Sequence, residues 1–234
     1  MSAHGIFDRA LDGPSWRDLV GEGRALLREM RKSPRGVPVG PLPRGDGHSV
    51  IVLPAFLTSD RMNRSFRAWL DGLGYAAEGW GGGFNLGPSA AAVAAADDML
   101  CRCTDASGRQ ASLVGHSLGG VLARALANAH PDRVRRVISV CSPFRLATAS
   151  PLEPIYRALA PLHSGQRRML AHLIAPPPVP TTAIYTPSDG VVAWRSCIDA
   201  PGLNRENIAV DGAHTTMLAN PRALRVIAER LSWP

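Results

Sequence analysis

Lysine is almost missing from this chain. Lys32 stands alone, and every other one of the 26 basic residues is arginine, for a formal charge of +7. The arginines are scattered, and many sit beside an acid, as in Arg17-Asp18 and Asp132-Arg133. A nucleic-acid binder concentrates its cations on one face of a recognisable module; no such module is present, so nucleic acid is excluded as the expected partner. The arginine bias reads as a signature of a GC-rich genome. Cysteine is also scarce: Cys101, Cys103, Cys141 and Cys197 include no C-x-x-C pair, and no histidine pair accompanies them at ligand spacing. Ordinary thiols are expected, and no metal. No apolar run approaches a membrane span, and MSAHGIFDRALDG has no apolar core of signal-peptide length. A soluble, cytoplasmic protein is the expectation. Finally, GGGFNLG at residues 81–87 misses the G-x-G-x-x-G spacing and nothing matches a phosphate-binding loop, so no cofactor is expected.

What is present is an ordinary packed globule of 234 residues, 45% hydrophobic and 19% charged. Residues 1–46 read as an N-terminal unit: an amphipathic helix from Ser15 to about Lys32, with Trp16, Leu19, Val20, Ala25, Leu26 and Met30 among charges, then the Pro- and Gly-rich connector SPRGVPVGPLPRGDG. The mixed charges of that helix favour packing on its own domain over membrane docking. From residue 47 to 234 strands and helices alternate. SVIVLP, Tyr75–Glu78, RQASLVG, Val134–Cys141, TTAIYT and ENIAV read as strands. Helices are expected at Arg61–Leu73, Pro88 to about Cys103, Leu118–Ala129 and after Asn220-Pro221. Such alternation predicts an α/β fold with a mostly parallel sheet of about six strands. The apolar, Pro-rich stretch 145–179 interrupts it and, at this length, reads as an insertion covering a site.

Chemistry concentrates in GHSLGG. Gly115-His116-Ser117-Leu118-Gly119 is a G-x-S-x-G pattern with a strand before it and a helix after it. A serine on so sharp a turn has its Oγ thrust outward, and side chains two residues either side would strike the neighbouring strand and helix. Its base and orienting acid should follow on loops past later strands. Asp189 in Pro187-Ser188-Asp189-Gly190 and His214 in Asp211-Gly212-Ala213-His214 stand in those places, although Asp189-Gly190 also reads as a plain turn and Asp211 is a rival acid. Two oxyanion donors are expected: the N–H of Leu118, and that of Phe56 in Pro54-Ala55-Phe56-Leu57, with Leu57 the alternative. Each is worth roughly 3–4 kcal/mol in the transition state. Leu57, Trp80, His116, Val191 and Val192 complete the candidate substrate-binding set, with core packing the competing reading for the apolar ones.

On GHSLGG, VIVLPAFLTS, TPSDGVV and DGAHTTM, the chain resembles the α/β-hydrolase superfamily, and specifically its small lipase and esterase branch, from about Ser49 to Leu231. The resemblance implies a Ser117, Asp189, His214 triad, an acyl-enzyme, no cofactor, and a lid at residues 145–179. Pro54-Ala55 replaces the His-Gly that many members carry, and the two strands that usually precede SVIVLP are not evident. The expected activity is hydrolysis of small-molecule carboxylic esters. Acyl transfer, thioester cleavage and a non-catalytic binding module on the same fold are the alternatives. The oligomeric state is not legible.

Overall fold

A computed structural model describes residues 13–31, 41–145, 149–172 and 175–234. The extreme N-terminus, most of the connector and parts of the 145–179 insertion lie outside the described residues. Six strands, β1 (Ser49–Leu53), β2 (Ala76–Gly79), β3 (Ala111–His116), β4 (Val134–Val140), β5 (Thr181–Tyr185) and β6 (Arg205–Ala209), form one sheet. All of its pairings are parallel, in the order β2-β1-β3-β4-β5-β6. The chain starts in β1, steps outward to β2, then returns past β1 to β3. The point of reversal lies between β1 and β3, where open α/β sheets place their sites, beyond the carboxyl ends of the strands.

The central strands are apolar without alternation because both faces are covered. Successive side chains point to opposite faces, so Ile51, Leu53, Leu113 and Val137 pack in one layer with α3 (Ala90–Ser107) and α4 (Leu118–Ala129). Val50, Val52, Val114 and Ile138 face the other way, onto α2 (Arg64–Leu73) and α7 (Pro221–Leu231). The Asn220 side chain caps α7, and Ser89 caps α3. Helix α4 is buried from Leu118 through Ala127. Its one charge, Arg124, donates two hydrogen bonds to Asp199, at 2.9 and 2.6 Å, and lies 3.7 Å over the Phe144 ring. At least one of the abundant arginines therefore serves packing and not binding.

Two expectations are adjusted. Helix α3 runs past Cys103 to Ser107, where Gly108 closes it in the left-handed conformation, and α2 begins at Arg64, after a turn. The N-terminal helix, α1 (Trp16–Arg31), packs against the short 3₁₀ helix His214–Ala219. Its Leu19 joins Val191, Val192 and Cys197 in a small apolar cluster, yet Trp16 remains 59% exposed and Val20 56%. The inserted stretch between β4 and β5 holds the short helices α5 (Glu153–Ala158) and α6 (Gln166–Ala171). Tyr156 of α5 packs on Phe56 with ring centroids 5.4 Å apart, and His163 Nε2 donates to the Leu86 carbonyl at 2.9 Å. No helix among the described residues is long and apolar enough to cross a membrane.

Candidate active site

Backbone strain marks the site before any side chain does. Among the described residues, the non-glycine positions with positive φ are Leu57, Ser117 and Cys141, just past the carboxyl ends of the neighbouring strands β1, β3 and β4. Positions of this kind cost about 1–3 kcal/mol each and persist where the surroundings impose them. Ser117 sits at φ 52°, ψ −122°, its N–H donating to the Val140 carbonyl at 2.8 Å and its carbonyl accepting from Gly120 N–H at 3.0 Å.

The glycines around it are demanded by backbone. A Cβ on Gly115 would lie 2.3 Å from Gly120 Cα, and one on Gly119 would lie 2.2 Å from the Leu53 carbonyl oxygen. Neither neighbour is a side chain that can swing aside. Gly119→Ala should therefore cost about 3 kcal/mol through overpacking, read as a lower urea midpoint. Gly23→Ala, in the exposed interior of α1 with no atom within 4 Å of the added carbon, should be neutral or stabilising by about 0.5–1 kcal/mol. Equal effects of the two substitutions would refute the close approach.

The same crowding presses the loop after β1 against the start of α4. Leu118 N–H, the first of that helix, belongs to the four without an intrahelical acceptor. Leu57 N–H donates to the Asn85 carbonyl at 2.8 Å, and Asn85 Nδ2 donates to the Pro54 carbonyl at 2.8 Å; the N–H of Phe56 has no acceptor among the described residues. Of the two alternatives, Phe56 keeps its donor free and Leu57 does not.

Asp189 and His214 come together from two different loops. His214 Nδ1 donates to Asp189 Oδ2 at 2.8 Å, while Asp189 Oδ1 accepts the N–H groups of Val191 and Val192 at 2.9 and 2.8 Å. Both residues are buried. In a neutral imidazole this contact selects the tautomer with its proton on Nδ1, and Nε2 is then the accepting nitrogen. Among the described residues no hydrogen bond joins Ser117 Oγ to the imidazole. Thr186 and Ser188 hydroxyls donate to the Gly212 carbonyl at 3.0 and 3.2 Å, lacing the acid loop to the histidine loop. The rival Asp211 points into solvent, its side chain 90% exposed beside Arg222.

His116 Nε2 donates to the His214 carbonyl at 2.9 Å. Burial, reinforced by His214, pushes its pKa down to about 3, so the ring stays neutral. Its ring lies 5.1 Å from that of His214, centroid to centroid, and is buried. Trp80 is wholly enclosed, with Nε1 donating to the Gly83 carbonyl; Val191 and Val192 are buried under α1. For these three, packing is what the structure displays. Leu57 remains partly exposed. Sequence reading missed Glu22, Thr186 and Ser188, since nothing local ties them to the histidine.

Cys141 Sγ lies within 4.8 Å of ligand atoms of both Asp189 and His214. Burial, with Asp189 nearby, holds the thiol well above its usual pKa, hence protonated. The Asp189 and His214 atoms are 2.8 Å apart, whereas two donors of a tetrahedral zinc site stand roughly 3.3 Å apart. The spacing suits a shared proton.

Comparison with known proteins agrees with this fold. A family model described as the alpha/beta hydrolase fold matches residues 87–183, the segment holding the serine turn. No curated protein is matched by sequence. Among solved structures, a Bacillus licheniformis lipase in mature form is 15% identical, with a TM-score of 0.60 over 85% of this chain and 97% of its own. A Paleococcus ferrophilus monoacylglycerol lipase is 13% identical, with a TM-score of 0.59 over 81% and 96%. A thioesterase domain from the curacin biosynthetic pathway is 16% identical, with a TM-score of 0.54 over 80% and 92%. At these identities the likeness speaks for the fold. Strand order, serine turn and matched segment together make this chain an α/β-hydrolase-fold protein.

Proposed function

We propose that the protein is a serine hydrolase of carboxylic esters, with Ser117 as nucleophile, His214 as base and Asp189 as the acid that orients it. The observation that carries this reading is the strained Ser117 turn beside a His214–Asp189 hydrogen bond in which Nε2 is left to accept a proton. Ser117 Oγ attacks the acyl carbon as His214 Nε2 takes its proton, and the Leu118 and Phe56 N–H groups bind the developing oxyanion. His214 then returns the proton to the leaving alkoxide, and the alcohol departs. Water adds to the acyl-enzyme by the same route, releasing the carboxylic acid and restoring Ser117.

For the acyl chain we take a cleft of about 410 Å³ lined by Gly81, Gly82, Phe84, Leu86, Ser89, Ala92, Ala95 and Leu162, with none of Ser117, Asp189 or His214 in its wall; its loop hydrogen-bonds to the β1 loop through Asn85. With 4-nitrophenyl esters, kcat/KM should rise from acetate to butyrate by about 15-fold, since two buried methylenes contribute about 1.6 kcal/mol. A profile peaking at acetate would overturn the apolar groove. Labelling by a fluorophosphonate tests the nucleophile itself, and a folded protein that neither labels nor turns over would leave a binding role on the hydrolase fold. Matched thioesters run in parallel decide between ester and thioester preference, as the thioesterase-domain neighbour invites.

A further inference from the structure

The proposed acid and base sit on separate loops, yet one side chain from the far N-terminus holds both. Glu22, in the middle of α1, is 3% exposed. Its Oε1 accepts the N–H groups of Gly190 at 3.0 Å and His214 at 2.9 Å, and its Oε2 accepts the N–H and the hydroxyl of Thr215, each at 3.0 Å. Four donors converge on this carboxylate, and no cation is among them.

Those donors are not arbitrary. Gly190 follows Asp189 directly, and His214 is the base itself. We infer that Glu22 is a positioning residue: it fixes the backbone of the acid loop and of the histidine loop to one rigid group, setting the approach of Asp189 Oδ2 to His214 Nδ1. The inference rests on the proposed use of Asp189 and His214. Gly190 explains how the helix gets close enough. A Cβ there would meet the Asp18 carbonyl oxygen at 2.7 Å and Glu22 Cγ at 2.8 Å, so the glycine of TPSDG clears the path of α1. His214 is thereby held at three points: its N–H by Glu22, its carbonyl by His116 and its Nδ1 by Asp189.

A carboxylate is the group suited to this place, because it accepts at both oxygens and donates at neither. Glu22→Gln keeps the size but turns an NH₂ toward an N–H donor, so one loop must move. Misplacement of a reacting group by about 1 Å costs on the order of 100-fold. We therefore expect Glu22→Gln to lower kcat about 30- to 100-fold on a short 4-nitrophenyl ester, with KM within about threefold. Nitrogen NMR of the imidazole should show His214 passing from the Nδ1–H tautomer to a mixture. The control is Arg24→Gly, which weakens the exposed side of the same helix and should leave kcat within about twofold and the tautomer intact. A Glu22→Gln protein that keeps parental kcat and tautomer overturns the inference, as does an Arg24→Gly protein that loses kcat equally. If the parent turns over no acyl substrate, the hydrolase reading fails and the tautomer comparison alone decides the role of Glu22.

Discussion

Replacing Ser117 with alanine should leave a folded protein whose ester turnover falls by about 10⁴- to 10⁶-fold. The magnitude follows from the way a nucleophile, its base and the orienting acid act as a unit: removing the serine costs nearly as much as removing all three, and what survives comes from oxyanion binding and substrate positioning. Stability should change little, within about 1 kcal/mol. The φ of 52° is imposed by the strand-to-helix turn and strains alanine as much as serine, and the hydrogen bonds that hold the turn use the Ser117 main chain. Fluorophosphonate labelling should vanish with turnover. A variant that unfolds at the parental urea concentration and still hydrolyses the best ester at more than a hundredth of the parental rate would remove Ser117 from the mechanism.

That prediction was legible before any fold was known, and the reason is local. Gly115 is demanded by Gly120 within the turn itself and Gly119 by the Leu53 carbonyl of the neighbouring strand, so the two glycines print the turn into the sequence at fixed spacing about the serine. The central strands were legible from their composition, since a parallel sheet buried on both faces permits short, predominantly apolar segments such as SVIVL and ASLVG. That Asp189 and His214 each fall just past the end of a later strand could be read from strand counting. Glu22 could not. Hydrophobic periodicity selects Trp16, Leu19 and Val20 as the inward face of α1, whereas the structure buries the acid and leaves Trp16 and Val20 largely in water. The burial is stabilised by N–H donors from residues 190, 214 and 215, more than 160 positions away, and no local pattern encodes such a partner. Trp80 illustrates the opposite limit. An aromatic beside a glycine-rich loop reads equally as pocket or core, and only its full burial in the cluster that also holds Leu100 and Leu113 places it in the core.

Asp189→Asn should lower kcat by about 10⁴-fold while leaving KM nearly unchanged. Asparagine fits the site, and its oxygen can still accept the N–H groups of Val191 and Val192 that Asp189 Oδ1 now accepts. The second position then holds an NH₂, which donates. Facing His214 Nδ1, it selects the tautomer with the proton on Nε2, the nitrogen that must take the proton from Ser117. The loss is therefore electronic and does not require any atom to move far. Asp211→Asn is the informative partner: the rival acid is exposed and, among the ionic groups of the described residues, meets only Arg222, so kcat should stay within about twofold. Combining Asp189→Asn with Ser117→Ala should cost no more than Ser117→Ala alone, because a base has nothing to activate once the hydroxyl is gone. Should Asp211→Asn give the larger loss, or the double variant fall far below the serine variant, the assignment of Asp189 to the imidazole would have to be abandoned.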